Sequence, residues 1–327
     1  MGIRWYIIKR LLNAIPVLFS VLVIAFFLVR LAPGDPAVLM AGEGATEEYL
    51  DLMREKYGLN DPIWIQFGRQ MKNFLTGDWG KSWTFERPVL DVIIDRIPQT
   101  LLLVGVGLTL AIIFGIFLGL AAARVPYSLK DNLITFFSFL GFSLPVFWFA
   151  QILVLVFGIK LGWLPPFGLI DYGVNPESKL FWGWTYTKNI LKHLILPATA
   201  LATVFLATYT KLTRAGLLEV QRQNFIMAAR AKGVPEDKIL RKHGLRNALL
   251  PVITVAGIQF GVAIAGVVLT ETVFAWPGVG RLLYDALLFR DYPLVMGTFV
   301  FVSLSVVFFN ILADILYAWV DPRITYT

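Results

Sequence analysis

The sequence predicts an all-α polytopic membrane protein with six transmembrane helices. The chain has 327 residues, of which 57% are hydrophobic, a larger share than soluble domains carry. Uncharged hydrophobic runs recur along the whole chain and are long enough to cross a ~30 Å hydrocarbon core, which takes about 20 helical residues. These six runs are Leu11–Val29, Ile97–Ala123, Asn132–Ile159, His193–Thr210, Asn247–Thr270 and Tyr292–Ala313.

The distribution of charge predicts which side of the membrane each loop faces. With six spans, one side receives both termini and the loops 124–131 and 211–246, which together carry 15 Lys/Arg and 5 acidic residues. The segments on the other side carry 14 Lys/Arg and 16 acidic residues. Since cytoplasmic loops are enriched in Lys and Arg, both termini are expected in the cytoplasm. The pI of about 9.5 is thus a topology signal, and no nucleic-acid partner is needed to explain it.

The first run also resembles a secretory signal, because Arg4, Lys9 and Arg10 precede it. Signal peptides have apolar regions of about 7–15 residues that end at a cleavage site with small residues. Leu11–Val29 is longer and is followed by Arg30, so we interpret it as a retained first span.

The segment 32–96 is predicted to form a helical cap outside the membrane. Thr46 can cap a helix whose first turn holds two glutamates, and Asp61-Pro62 resembles a second helix start. The residues that then recur on one helical face are Ile63, Phe67, Met71 and Phe74.

Within this segment Gly80-Lys81-Ser82 imitates the end of a phosphate-binding loop. The full motif needs a glycine five residues before Gly80, where Leu75 stands, and a preceding β-strand, which the sequence does not predict. We therefore predict no nucleotide site here.

Two spans carry glycines one helical turn apart, Gly115 with Gly119 and Gly257 with Gly261. Such small residues allow helices to approach closely in lipid, although glycine is common in membrane helices. The third span contains Ser143-Leu144-Pro145, where proline releases backbone groups that need a polar neighbour or water. A kink is the simpler interpretation, and a place on a substrate path is the functional one.

Aromatic and acidic residues near the span ends are interpreted as structural. The second outer loop contains Trp163, Trp182, Trp184 and Tyr186, which are typical membrane-interface anchors. Asp314 is the one acidic residue inside a hydrophobic run, a position that is a functional candidate by default. Its place near the predicted cytoplasmic end favours a structural ion-pair partner, and both roles stay open.

The loop 211–246 is the most strongly patterned part of the chain. Strong helix formers run through Ala228–Lys232, and Gly233 stands where a helix end favours positive φ. Val234 is followed by proline and two acids, which predict a new helix start. The result is a helical hairpin with little side-chain bulk, which a cleft in another protein could hold. An ordinary basic loop is the alternative.

This loop resembles the EAA-type cytoplasmic loop of ABC importer permeases, in the variant of the dipeptide/oligopeptide family. The resemblance is carried by AARAKG at 228–233 and HGLRNALLP at 243–251. The residues that match the pattern are Ala228, Ala229, Gly233 and Leu245. The residues that replace its glutamate, isoleucine and proline are Met227, His243 and Arg246, and the peptide-permease branch shares these departures.

The resemblance extends over nearly the whole chain. RLAPGDP (Arg30–Pro36) and GDWGKSW (Gly77–Trp83) are similar to elements of the outer segment of peptide permeases. ETVFAWPGVGRLLYDALLFRDYPLV (Glu271–Val295) is similar to their last outer loop, and NILADILYAWVDPRI (Asn310–Ile324) to their C-terminal signature. The sequence thus resembles a B-type subunit of the peptide/nickel permease family.

This resemblance implies the type I ABC importer permease fold and a set of partners. The chain would pair with a second homologous permease in the plasma (inner) membrane of a bacterium or archaeon. Two ABC ATPases would lie beneath, and an extracytoplasmic substrate-binding protein above. ATP and magnesium are expected in the ATPases, and no cofactor or metal is expected in this chain. Residues 1–96 would form the first span and outer segment, 97–320 the permease domain and 321–327 a cytoplasmic tail.

The resemblance also implies that the loop 211–246, called the coupling loop below, contacts the ATPases through its part 225–246. The residues expected to make this contact, called the coupling segment below, are Ala228, Ala229, Arg230, Ala231, Lys232, Gly233 and Val234. Candidates for the translocation path are polar residues within the spans, namely Ser143, Gln259 and Asn310.

The expected function is import of dipeptides or oligopeptides, driven by ATP hydrolysis in partner subunits rather than by a catalytic site in this chain. Relatives of the family also carry nickel, glutathione or oligosaccharides, so these substrates stay open. An ion-gradient-driven secondary transporter is the alternative from another class, although the middles of the six runs hold no ionisable group. A scaffold or sensor subunit is a third. The chain has no cysteine and only two histidines, and its spans contain no pattern typical of an intramembrane enzyme.

Overall fold

The computed structural model describes residues 3–31, 35–41, 44–171 and 184–320, with the backbone alone described at 3–7, 39–40, 184, 314 and 316–320. Regular structure in these ranges is helical, apart from an isolated β-bridge between Lys81 and Pro88, as the predicted fold class requires. The helices are α1 (Ile3–Leu31), α2 (Pro36–Ala41), α3 (Glu47–Lys56), α4 (Ile63–Thr76), α5 (Val89–Ile94), α6 (Ile97–Arg124), α7 (Leu129–Ser143), α8 (Val146–Leu153), α9 (Trp184–Val220), α10 (Asn224–Ala231), α11 (Glu236–Lys238), α12 (Leu245–Ala248), α13 (Leu250–Gly266), α14 (Val268–Val273), α15 (Val279–Leu288) and α16 (Tyr292–Val320). Two π-helical turns lie at Val154–Lys160 and Ile239–Gly244.

Up to six helical segments of the described chain are long and apolar enough to cross a membrane, if each bent pair counts as one span. The four unbroken segments contain α1, α6, α9 and α16. The two bent ones are α7 with α8, at 100°, and the stretch from α11 to α12 with α13, at 46°. The six predicted spans fall on these segments, so their predicted locations are confirmed, and their number is six when each bent pair is one span.

The fourth span is longer than predicted at both ends. The prediction stopped at the first lysine on each side, Lys192 and Lys211, whereas α9 continues from Trp184 to Val220. Charged residues end an apolar run but not a helix, because Lys and Arg are good helix formers and their long side chains carry the charge to water. Residues 211–220 of the coupling loop therefore continue α9, and only 221–246 has a structure of its own.

Pro145 breaks the third span sharply. Leu144 has extended backbone angles (φ −76°, ψ 135°), as expected because the proline ring disfavours the α conformation of the preceding residue. The axes of α7 and α8 consequently meet at 100°, a much stronger bend than the predicted kink. The exposed Ser143 hydroxyl donates to the Phe139 carbonyl at 2.9 Å.

The core lies where α6, α9 and α13 meet. Leu103 of α6, Leu201 of α9 and Ile264 of α13 are buried in one cluster, together with Trp276 from the loop after α14. Burial of these apolar side chains holds the three helices in fixed relative positions.

Both predicted glycine pairs lie at contacts between helices. A methyl group at Gly115 would lie 2.5 Å from the Cβ atom of Tyr209 on α9, and one at Gly257 would lie 2.8 Å from that of Ala313 on α16. Such distances exclude any side chain without movement of a helix. The glycines therefore set how closely α6 approaches α9 and α13 approaches α16.

The described part of the outer segment 32–96 contains four short helices, α2 to α5, of which α4 packs on α1 and α5 contacts α16. The Thr46 hydroxyl caps α3 by accepting from the Tyr49 N–H group at 3.4 Å, as predicted. The apolar face of α4 packs inward, with the Phe67 ring 5.3 Å from the Phe26 ring of α1. Phe74 is buried in the same cluster as Phe26. The amphipathic pattern of α4 is thus explained by packing on α1.

Gly80-Lys81-Ser82 forms a structural junction. Ser82 is buried, and its hydroxyl donates to Oδ2 of the buried Asp291 at 2.5 Å. The same carboxylate accepts from the Thr84 N–H group at 3.0 Å. Ser82 is therefore occupied in joining the outer segment to the chain before α16, which fits the prediction that this motif is no phosphate loop.

A second buried carboxylate, on α14, joins that helix to α6 and α15. Glu271 is fully buried and accepts from the Thr100 hydroxyl at 2.7 Å and from the Arg281 N–H group at 3.0 Å. The Trp276 indole donates to the Gln99 carbonyl at 2.9 Å. These bonds fix the last outer loop to the start of α6.

Stability is expected to depend on the protonation of Glu271. Burial raises the pKa of its carboxyl to about 7 from 4.5, although hydrogen bonds from Thr100 and the Arg281 backbone oppose the rise. A carboxyl whose pKa is higher in the folded than in the unfolded protein stabilises the fold when it is protonated. This stabilisation is complete below the unfolded pKa and is lost as the pH rises through the folded pKa. As the pH rises from about 5 to about 8, the free energy of unfolding is therefore expected to decrease by roughly 3 kcal/mol. The apparent Tm is expected to fall with it. Thermal unfolding of wild type and Glu271→Gln over this range checks the prediction, and parallel profiles would contradict it.

Candidate functional site

The coupling segment is the end of a short helix and the turn that follows it. Helix α10 ends at Ala231, and the N–H groups of Gly233 and Val234 donate to the carbonyls of Arg230 and Ala229 at 2.9 and 3.2 Å. Gly233 has φ +72°, which confirms the predicted positive φ. No atom lies within 4 Å of a Cβ built there, so glycine is required by the backbone angle and not by crowding.

An ion pair closes the hairpin. The Arg230 guanidinium donates to Glu236 through Nη2 at 2.5 Å and Nε at 3.1 Å, and this pairing lowers the pKa of the Glu236 carboxyl. Both side chains are substantially exposed, so the pair contributes little to stability. Its geometry instead holds the start of α11 beside the end of α10.

The two faces of α10 differ in their surroundings. Ile226 is fully buried beside Leu217 of α9 and Ile239 of the π-helical turn, and Ala229 packs on the same cluster. On the opposite face, Met227, Ala228 and Ala231 are exposed, at the spacing of one helix surface. This exposed face combines two alanines with one flexible methionine.

The structure therefore divides the seven predicted coupling residues into three groups. Four are exposed and accessible to another protein, namely Ala228, Ala231, Lys232 and Gly233. Two, Ala229 and Val234, are partly buried against the chain's own cluster. Arg230 is paired with Glu236. The sequence pattern could not separate these groups, because the orientation of a short helix depends on what it packs against.

The coupling loop is fixed to the membrane helices at several points. A methyl group at Gly216 of α9 would lie 2.9 Å from the Ala248 carbonyl of α12, so these two helices touch through their backbones. Arg124, at the end of α6, pairs with Asp237 of α11. These contacts hold the coupling loop against the ends of α6 and α9.

A buried ion pair joins the same end of α9 to α7. Asp131 is 1% exposed and accepts from Arg214 through Nε and Nη2, both at 2.6 Å. It also accepts from the Tyr127 N–H group at 2.8 Å. The sequence does not indicate this pair, because the partners lie 83 residues apart and neither belongs to a motif.

The three candidate path residues lie on different helices. Ser143 is exposed at the break between α7 and α8. On α13, the Oε1 atom of Gln259 is buried and has no partner among the described residues. Asn310 of α16 lies beside Gly261. Gln259 is two residues from Gly261 and so lies on the other side of α13, which separates it from Asn310. Their role in a path stays a prediction.

Several predicted residues have structural surroundings or lie outside the described part. His193 is buried, with Nδ1 3.0 Å from the Asn189 carbonyl. Trp163 is exposed, whereas Tyr186 is buried. The predictions for Trp182, for the side chains of Trp184 and Asp314 and for the tail 321–327 concern parts of the chain outside the described residues. In the described part of the chain, no group of three or more His, Asp or Glu residues could hold a metal ion.

Two protein-family models together match almost the whole chain. Residues 111–326 match the model of the "binding-protein-dependent transport system inner membrane component", and residues 3–104 match that of its N-terminal part. These two ranges meet close to the middle of α6.

Curated relatives of similar length are membrane components of transport systems. The chain is 44% identical to the oligopeptide transport system permease protein AppB of Bacillus subtilis, over 98% of this chain and 99% of the relative. It is 37% identical to the dipeptide permease DppB of Alkalihalophilus pseudofirmus and 38% identical to the glutathione permease GsiC of Escherichia coli K12, each over 98% and 99% of the two chains.

The fold is similar to that of a solved transporter. The match is a chain of the MetNI methionine ABC transporter in an inward-facing conformation, with a TM-score of 0.52 and 18% identity. It covers 72% of this chain and 98% of the other. At this identity the likeness concerns the fold alone.

Proposed function

This chain belongs to the family of binding-protein-dependent transport system inner membrane components, and on that premise we propose that it is a permease subunit of an ATP-driven importer of peptides. The apolar helices and the family make it a multi-pass inner-membrane protein. The peptide substrate is supported by relatives named for oligopeptides, dipeptides and the tripeptide glutathione. No relative named above carries nickel or oligosaccharides, and these substrates are not favoured.

The observation that carries the proposal is the exposed small-residue face of α10 on a rigidly attached hairpin. Ala228 and Ala231 leave a surface without bulk, and the contact of Gly216 with Ala248 links that hairpin to α9. A shape of this kind suits insertion into a cleft of another protein. We assign that cleft to an ABC ATPase, which binds the ATP and magnesium that this chain does not.

The remaining partners follow from the same assembly. A second homologous permease encloses the translocation path together with this chain, and two ATPases bind on the cytoplasmic side, where both termini and the coupling loop lie. An extracytoplasmic binding protein delivers the peptide. Closure of the ATPases moves the coupling segment, and the motion reaches α7 through Arg214 and Asp131. Ser143, Gln259 and Asn310 are the candidate path residues.

The proposal is tested by purifying the tagged full-length protein from its native membrane in mild detergent and identifying what accompanies it by mass spectrometry. We expect a second permease and two ABC ATPases. Peptide uptake is expected to be lost in a deletion strain and to survive collapse of the proton and sodium gradients while ATP is maintained. A protein recovered alone, with uptake that follows an ion gradient, would show a secondary transporter instead.

A further inference from the structure

A cavity of about 1020 Å³ lies on the predicted outer side, between the end of α1, the outer helices and the start of α16. Neither the coupling segment nor the candidate path residues line it. Its lining includes Arg30, Gln66, Trp79, Trp83 and Tyr292.

One buried acceptor on this lining has no donor in the described part of the chain. The Nε2 group of Gln66 donates to the Leu59 carbonyl at 2.9 Å and the Asp61 carbonyl at 2.7 Å, which fixes the orientation of its amide. The Oε1 atom is buried and has no partner among the described residues. Since nearly all buried polar atoms are hydrogen-bonded, this oxygen calls for an N–H or O–H donor from a bound molecule.

Two donors on the same lining have no acceptor among the described residues. The Tyr292 phenol oxygen is buried, again without a partner in the described part of the chain, and the ring is packed edge-on against Trp83 with centroids 5.5 Å apart. Arg30 lies over the Phe26 ring at 5.4 Å and forms no ion pair with a described carboxylate. A guanidinium and a phenol together suit an anionic oxygen group.

The other charges of the lining have both signs. Arg54 is neutralised by Asp35 at 2.6 Å, and Arg69 by Asp61 at 2.6 Å. Among the lining residues left are the acidic residues Glu55, Asp78 and Glu86 and the basic residues Lys56 and Lys81. A ligand with a positive as well as a negative group matches such a lining better than a simple anion.

The position of the cavity indicates where such a ligand comes from. Arg30 is next to the last residue of α1, and Trp79, Trp83 and Tyr292 surround the cavity. Tryptophan and tyrosine concentrate at the level of lipid headgroups. In the predicted orientation, the cavity is therefore level with the headgroups of the outer leaflet.

We propose that this cavity binds a zwitterion, with its phosphate or carboxylate held by Arg30 and Tyr292 and its ammonium group donating to Gln66. Two molecules carry this chemistry, the phosphoethanolamine headgroup of a lipid and the termini of a free peptide. The headgroup is favoured by the position of the cavity at the membrane surface.

The test compares the full-length protein with Tyr292→Phe and Arg30→Gln, using Arg87→Gln as the control. Arg87 is an arginine of the outer segment that lies outside the cavity and pairs with Asp95 at the surface. Tyr292→Phe removes only a hydroxyl without a partner, so the variant is expected to fold as well as wild type. Each protein is titrated in detergent with phosphatidylethanolamine, phosphatidylglycerol or dialanine while its unfolding temperature is followed.

We expect phosphatidylethanolamine to stabilise wild type and Arg87→Gln at concentrations roughly 10-fold lower than those that stabilise Tyr292→Phe or Arg30→Gln. The latter two variants each lose one bond to the charged headgroup. The same pattern with dialanine alone would support the site and identify the free peptide as its ligand. Equal stabilisation of all four proteins, equal potency of phosphatidylglycerol, or no stabilisation at all would overturn the proposal.

Discussion

Replacing Ala228 by tryptophan is expected to reduce peptide uptake at least about 5-fold, and to background if the ATPase no longer docks, while the protein stays folded. Ala228 is exposed on α10, so a larger side chain at this position can extend into solvent. In a closely packed contact with a partner, an inserted large side chain costs about 1–3 kcal/mol, which is roughly a 5- to 150-fold loss of binding. Uptake of a labelled peptide and recovery of the ATPase with the tagged protein measure both effects.

Ala228→Ser is the matched control, because it changes the same position without adding bulk. It is expected to retain uptake and to recover the ATPase as wild type does. The unfolding temperature of Ala228→Trp should equal that of wild type, which separates lost docking from lost folding. Normal uptake by Ala228→Trp would show that this face of α10 does not enter a partner.

Arg214→Met is expected to destabilise the protein by about 3–5 kcal/mol, because it leaves the carboxylate of Asp131 buried without a counter-charge. Asp131 is 1% exposed and both guanidinium bonds measure 2.6 Å, so the substitution removes the counter-charge of a buried carboxylate. The unfolding temperature and the yield of purified protein measure this effect, and both are expected to fall markedly.

The double variant Arg214→Met with Asp131→Asn is the control for this prediction. Asparagine carries no charge and can still accept from the Tyr127 N–H group, which lies 2.8 Å from the carboxylate. We expect the double variant to recover much of the lost stability, because replacing both members of a buried ion pair by neutral residues is often neutral or stabilising. If it is no more stable than Arg214→Met, the loss arises from packing of the arginine stem and not from the unpaired charge.

The features that the sequence predicted correctly depend on local physics. Apolar runs located all six spans, because an exposed charge or an unpaired backbone group is costly in hydrocarbon wherever it occurs. Thr46 was correctly predicted as a helix cap and Gly233 as a residue with positive φ, since each depends on the conformation of its immediate neighbours. The motifs shared with peptide permeases correctly indicated the family.

The features that the sequence left open depend on contacts between distant residues. Nothing near Asp131 indicates that Arg214 lies against it, and nothing near Ser82 indicates Asp291, which is 209 residues away. The same holds for α10, where packing against Leu217 turns Ala229 inward and leaves Ala228 exposed. Residue order thus determined the membrane spans, the caps and the family, whereas the pairing of buried charges and the exposed face of the coupling segment were decided by tertiary structure, because only packing brings those residues together.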